Sequence, residues 1–277
     1  MNTRGILTIA MGRKFVTQAR YLSLSCMLHA PHVTRAVITD RPGLLKNYYD
    51  ILLPYKSDYG NPFAAKVRLH LYTPFDETLF LDADSLLISS IDPCWEALEN
   101  SSFVYTGRLL NGGTWYFDVE KTLEKTGFSW IPGFNSGMLL FKNNEAAGNI
   151  FDAAFDFMRR PQEFHIPFFR RDMLPDEPFF ALSFAKFGVE PYNDYGRFSR
   201  TLIGAEQIRI NVVRGVARFK KRGEPVFPLV VHFCGKLGNI AYLREKLRLR
   251  LHFFSFFDRL VMNPLAWLYK ILRPRQL

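Results

Sequence analysis

A chain of 277 residues, 48% apolar and 16% aromatic, can bury one large core or two small ones, which excludes a disordered or fibrous protein. Its formal charge of +10 belongs to one end: residues 1–199 hold 20 Lys and Arg against 22 Asp and Glu, whereas residues 200–277 hold 16 against 4. A neutral body with a basic end suits a phosphate site or an anionic membrane surface better than a polynucleotide groove spread over the fold, so no nucleic acid is expected as a partner.

Residues 6–10 (ILTIA) read as a buried strand, and the spacing of Phe15, Ala19, Leu22 and Cys26 predicts a helical stripe after it. Residues 33–39 (VTRAVIT) are the next strand, closed by the turn-forming Asp40-Arg41-Pro42-Gly43, and residues 50–54 (DILLP) are a third. Residues 64–71 (AAKVRLHL) are read as helical and lead into residues 78–88, TLFLDADSLLI, taken as one strand. Further on, residues 138–141 (MLLF) are a strand, residues 151–158 and 179–187 are helical, residues 161–175 are loop, and residues 227–231 (FPLVV) are β-rich. Alternation of strand and helix predicts the α/β class with a mainly parallel central sheet, whose ligands bind beyond the C-terminal ends of the strands.

No internal repeat or linker divides the chain, so a single domain is expected over residues 1–240, followed by a basic amphipathic tail over 241–277. The tail is aromatic and leucine-rich but interrupted by Asp258, Arg259, Asn263 and Pro264, which suits lying on a membrane rather than crossing one. The other reading is that Phe253, Phe254, Phe257, Leu260 and Trp267 pack back on the domain. Three scattered cysteines, Cys26, Cys94 and Cys234, form no Cys-x-x-Cys pair, which argues against a disulfide framework or a zinc knuckle. The first residues have too short an apolar stretch for a secretory signal, and no apolar run reaches the roughly 18 residues of a membrane span. A cytoplasmic location is expected, or a peripheral one at the inner face of a membrane.

Asp82 and Asp84 stand out in TLFLDADSLLI. Two residues apart in an extended chain, they face one way while Ala83 faces the other, and paired carboxylates in apolar surroundings are relieved by a shared cation. The plainer reading is that one caps a turn and the other is solvated at a strand end. A third ligand is His232, which follows a β-rich run and precedes Gly235, whose missing side chain permits close approach, and Lys236, which adds positive charge. Two carboxylates and an imidazole form a mixed oxygen and nitrogen donor set, suited to Mn²⁺ more than to Mg²⁺ or Ca²⁺.

In order and spacing over residues 6–236, LDADSLLI, FNSGMLLF, DEPFF and VVHFCGK resemble the landmarks of glycosyltransferase family 8 and its relatives, the glycogenin-like and galactinol-synthase-like enzymes. The resemblance implies a GT-A fold, the Rossmann-like nucleotide-diphospho-sugar transferase domain. It implies transfer of a hexose, with retention, from a nucleotide sugar, usually a UDP-sugar, to a glycan, lipid-linked or other hydroxyl acceptor. Mn²⁺ or another divalent cation would bridge the protein and the donor diphosphate. By position, Asp82, Asp84 and His232 become the metal ligands, with Ala83, Gly235 and Lys236 beside the diphosphate. Ala10, Met11, Gly12 and Phe15 match the uridine-binding turn, Phe15 standing where a tyrosine is common. Lys66 matches a basic residue that contacts the donor, and Ser136 and Gly137 line the sugar.

Asp176 and Glu177 match a pair close to the reacting carbon and, with Asn135 of the segment lining the sugar, are the catalytic candidates. Two departures stand out: Glu177 replaces a glutamine and adds a charge, and Leu237-Gly238 replace the Pro-Trp that commonly follows the lysine. On the residues alone, residues 135–137 also read as a turn before a strand, Asp176-Glu177-Pro178 as a helix start, and Lys66 as a solvated helix residue. Two other classes also stay open: a haloacid-dehalogenase-like phosphatase with Asp82 as nucleophile, and a non-enzymatic basic membrane- or RNA-binding protein.

Overall fold

The computed structural model describes residues 3–56, 62–168 and 173–257, without the side chains of residues 236, 237 and 255–257. The first strand, β1 (Arg4–Ala10), is followed by α1 (Gly12–His29), β2 (Thr34–Thr39) and β3 (Ile51–Pro54). After α2 (Pro62–Lys66) come β4 (Glu77–Leu81), β5 (Ser85–Leu87) and α3 (Asp92–Leu98). The middle of the chain holds β6 (Phe103–Val104), β7 (Gly107–Leu110), α4 (Val119–Thr126), β8 (Ile131–Phe134), β9 (Met138–Lys142), α5 (Glu145–Met158) and α6 (Glu177–Phe187). Last are β10 (Ser199–Thr201), β11 (Ala205–Asn211), β12 (Val216–Lys221), β13 (Glu224–Val226), β14 (Val230–His232) and α7 (Gly235–Phe257).

Six strands form the central sheet in the order β3-β2-β1-β4-β9-β6. Its first four run parallel, and β9 is antiparallel to both of its neighbours. The expected mainly parallel α/β sheet is therefore present. Adjacent residues Leu79, Phe80 and Leu81 of β4 are all buried, because helices cover both faces and leave no solvated side to favour alternation. Under α5 and α6 the core is aromatic: Tyr105 stacks on Phe184 with ring centroids 3.9 Å apart, and Phe103, Phe151 and Phe180 close around them. A fully buried ring of this size contributes about 2–3 kcal/mol by removal from water.

Several expectations change. Residues 78–88 are not one strand: β4 ends at Leu81, Ser85 N–H donates to the Asp82 carbonyl at 2.9 Å to close a turn, and β5 continues in a second sheet, β10-β14-β5. Residues 64–71 divide into α2 and a separate 3₁₀ turn at Leu69–Leu71. Residues 227–231 contribute only their last two positions to β14, and Phe227 is exposed. Phe15 leaves the α1 stripe: Val16, Ala19, Leu22 and Cys26 are buried, whereas Phe15 lies exposed in the first turn.

At the other end α7 runs unbroken through residue 240. Tyr242 and Leu249 are buried against Leu86, Val212 and Phe219, with Phe253 and Phe254 packed at the edge of that cluster. Of the aromatic and aliphatic residues expected to pack back, the Phe257 side chain, Leu260 and Trp267 lie outside the described residues.

Candidate functional site

Three chain reversals meet at the C-terminal end of β4. Because β9 runs antiparallel to β4 with Met138 opposite Leu81, the residues before β9 fall beside the turn after β4, and Asp82 N–H donates to the Gly137 carbonyl at 2.9 Å. Because β14 runs antiparallel to β5 with His232 opposite Ser85, Phe233 N–H donates to the Asp84 carbonyl at 3.0 Å. Asp82 and Asp84 thus converge through a turn rather than through the pleat of an extended strand. The turn aims both carboxylates at His232.

The His232 Nε2 lies 3.0 Å from Asp84 Oδ1 and 3.8 Å from Asp82 Oδ2, and one ligand atom from each of the three residues falls within 4.8 Å of the others. His232 is buried, but the two aspartate side chains keep 26% and 24% of their surface open, so a ligand reaches them from outside. The other ring nitrogen settles the tautomer. Glu177 Oε1 only accepts, so the Asn135 amide turns its Nδ2 toward it at 2.8 Å, and Asn135 Oδ1 accepts from Gly137 N–H at 3.3 Å. His232 Nδ1–H therefore donates to Asn135 Oδ1 at 2.7 Å, which leaves a lone pair on Nε2 in the neutral ring. Glu177 is itself held by Tyr116 OH at 2.8 Å and Ser136 N–H at 3.1 Å. Gly137 has no alternative here: a Cβ would sit 2.4 Å from His232 Nδ1.

Lys66, buried at the end of α2, spans the other flank. Its ammonium lies 2.8 Å from Asp82 Oδ1 and 3.3 Å from Asp176 Oδ2, and donates to Ser136 Oγ at 3.1 Å. The solvated-helix reading of Lys66 is thereby replaced. Asp176 precedes α6 but does not cap it; its side chain turns to Lys66, and its buried Oδ2 accepts no aligned hydrogen bond. Glu177 follows at the first position of the helix.

Four carboxylates face one lysine and one histidine, and the titrations reflect that excess. Burial would lower Lys66, but Asp176 and Asp82 raise it above the ordinary lysine value. Burial raises Asp82 despite Lys66 and His232. At Asp84 burial acts in the same sense but is outweighed by the hydrogen bond and charge of His232, which hold it below the usual carboxylate range. Burial and the neighbouring Asp176 raise Glu177. A divalent cation fits this donor set: two carboxylates with open surface, an imidazole nitrogen freed by a fixed tautomer, and three ligand atoms that lie within 4.8 Å of one another.

The hydrogen bonds and ion pairs join Lys66, Asp82, Asp84, Asn135, Ser136, Gly137, Asp176, Glu177 and His232 in one network. The remaining candidates stand apart from it. Ala10 and Ala83 are buried in a cluster with Val16, Ala19 and Val37. Gly12 N–H donates to Asp40 Oδ1 at 3.0 Å, beside Met11 at the start of α1. Gly235 opens α7 at a φ of 80°, and the Lys236 side chain lies outside the described ones. Tyr116 was missed because nothing in the spacing of Trp115-Tyr116-Phe117 separates a hydrogen-bonding phenol from two packing aromatics.

No protein-family profile and no curated protein matches the chain. Among solved structures, the galactosyltransferase LgtC in complex with donor and acceptor sugar analogs aligns with a TM-score of 0.58 and 17% identity, over 87% of this chain and 95% of its own. The apo form of GlyE from Streptococcus pneumoniae aligns at 0.51 with 15% identity, over 91% and 63%. The apo form of mouse xyloside xylosyltransferase 1 aligns at 0.50 with 14% identity, over 72% and 88%. The likeness is one of fold: the chain has the GT-A architecture that these glycosyltransferases share.

Proposed function

We propose that the chain is a metal-dependent glycosyltransferase that moves a hexose from a UDP-sugar, with retention, to a hydroxyl of a glycan or lipid-linked acceptor. The observation that carries this reading is the convergence of Asp82, Asp84 and the Nε2 of His232 at the carboxyl end of a parallel sheet in a GT-A fold. Asp82, Asp84 and His232 would hold Mn²⁺, whose charge would offset the negative charge that grows on a departing diphosphate, so that no proton need be delivered to it. Lys66 holds Asp82 and Asp176 in place and balances part of their charge. Gly235 admits a phosphate close to the backbone and Lys236 pairs with it, while the exposed Phe15 ring stacks on the base. Asp176, whose Oδ2 pairs with the Lys66 ammonium, lies with Asn135 and Glu177 on the side of the site assigned to the sugar. The GT-A fold favours this reading over that of a phosphatase with Asp82 as nucleophile.

A screen of nucleotide sugars for hydrolysis in the presence of Mn²⁺ tests the proposal. Turnover of a UDP-hexose is expected, abolished by chelation and by Asp82→Asn. Absence of turnover with every nucleotide sugar, together with no melting shift by any nucleoside diphosphate and Mn²⁺, would overturn it.

A further inference from the structure

The 23-residue helix α7 presents two contrasting apolar sides. Toward the body it turns Gly238, Tyr242, Glu245 and Leu249, all buried; the Glu245 carboxylate accepts from Val212 N–H at 2.9 Å. At 3.6 residues per turn, Ile240, Leu243, Leu247 and Leu251 fall on the opposite side in a line about 16 Å long. They are 71, 63, 55 and 55% exposed. An ordinary surface helix carries charge in that position, so four aliphatic side chains in one exposed line call for a partner.

Cations flank the line on both sides. Lys246 and Arg250 lie along one edge, with Lys246 over the Tyr21 ring at 5.1 Å and Arg250 across a cleft from Arg20. Arg244 and Arg248 lie along the other, two cations that share the single Glu245 carboxylate in ion pairs. Glu245 is the one acid in the sequence of α7, and it is buried. Pairing this face with a second copy would set like charges against each other. An anionic bilayer accepts both features, since leucines enter the boundary between headgroups and acyl chains while lysine and arginine reach the lipid phosphates.

We propose that the outer face of α7 docks on an anionic lipid surface through Ile240, Leu243, Leu247 and Leu251, with Arg244, Lys246 and Arg250 on the headgroups. The helix begins three residues after His232, so docking holds the carboxylate site at a fixed height above the bilayer. Among the described residues no helix is long and apolar enough to cross a membrane.

Flotation of the full chain with vesicles of phosphatidylcholine, alone or mixed with phosphatidylglycerol, provides the test and needs no enzymatic activity. Failure here is thus distinct from failure of the transfer reading. Binding is expected only to the anionic vesicles and is lost in high salt. Leu243→Ser with Leu247→Ser should weaken it on the order of tenfold or more, and Arg250→Gln roughly fivefold. Unchanged circular dichroism and melting would show that the variants fold. Equal binding to neutral vesicles would overturn the proposal, as would variants that float like the parent chain, which would assign the contact to other residues. Dimerisation that Leu247→Ser abolishes, without vesicle binding, would overturn it in favour of a second copy.

Discussion

At the scale of single residues the site is a chain of acceptors and donors in which each member fixes the next. Tyr116 and Ser136 orient Glu177, Glu177 orients the Asn135 amide, and Asn135 fixes which nitrogen of His232 is free. Asn135→Ala should therefore lower Mn²⁺ affinity by about 10–100-fold while all three ligands remain, measurable by calorimetric titration. An affinity equal to that of the parent chain would show that His232 is oriented by something else. His232 also makes the site pH-dependent. Burial alone would lower its pKa, but the hydrogen bond and charge of Asp84 raise it above 6.5. In the metal-free protein its stabilising pair is complete below about 6.5 and is lost as pH rises through the raised value. Metal binding has the opposite sign, because the proton on Nε2 must leave first. Apparent Mn²⁺ affinity should thus rise with pH through that same window, and titrations at several pH values would reveal a flat response if His232 were not a ligand. Asp82, Asp84 and His232 were legible in the sequence because carboxylate pairs and a histidine after apolar runs have a chemical cost that needs a partner. The Tyr116 and Glu177 contacts were not, since a hydrogen bond between residues 61 apart leaves no local pattern.

At the scale of elements, the alternation of strand and helix was readable because β1, β2 and β4 are short segments dominated by apolar and β-branched residues, as a covered sheet requires. What it concealed was the change of sheet at Asp82. Apolar residues flank Asp82 and Asp84 on both sides in TLFLDADSLLI, and only the Ser85 to Asp82 turn shows that the chain leaves one sheet for another. That turn lets one short segment contribute two carboxylates, while β14, paired to β5, brings the imidazole. The helices behind the site matter through packing. Phe184 of α6 is fully buried between Tyr105, Phe103 and Phe180, so Phe184→Ala should cost about 3–5 kcal/mol in urea unfolding. A loss below about 1 kcal/mol would mean that this aromatic cluster does not anchor α6 and the Asp176-Glu177 pair at its start.

Across the whole molecule, charge and architecture divide along the same line. The parallel sheet and the four carboxylates belong to the near-neutral part of the chain, and the excess of cations lies in residues 200–277, which include β12 and α7. The amphipathic character of the C-terminal region was visible in its composition. Its inner packing was not, because Tyr242, Glu245 and Leu249 point inward while equally apolar neighbours point out. The measurement that bears most directly on the central claim is calorimetric binding of UDP with and without Mn²⁺, to the parent chain and to Asp84→Asn. UDP binding that requires Mn²⁺ and disappears in the variant is the predicted result. UDP binding of equal strength without the ion, or unchanged in Asp84→Asn, would contradict a metal site built from Asp82, Asp84 and His232.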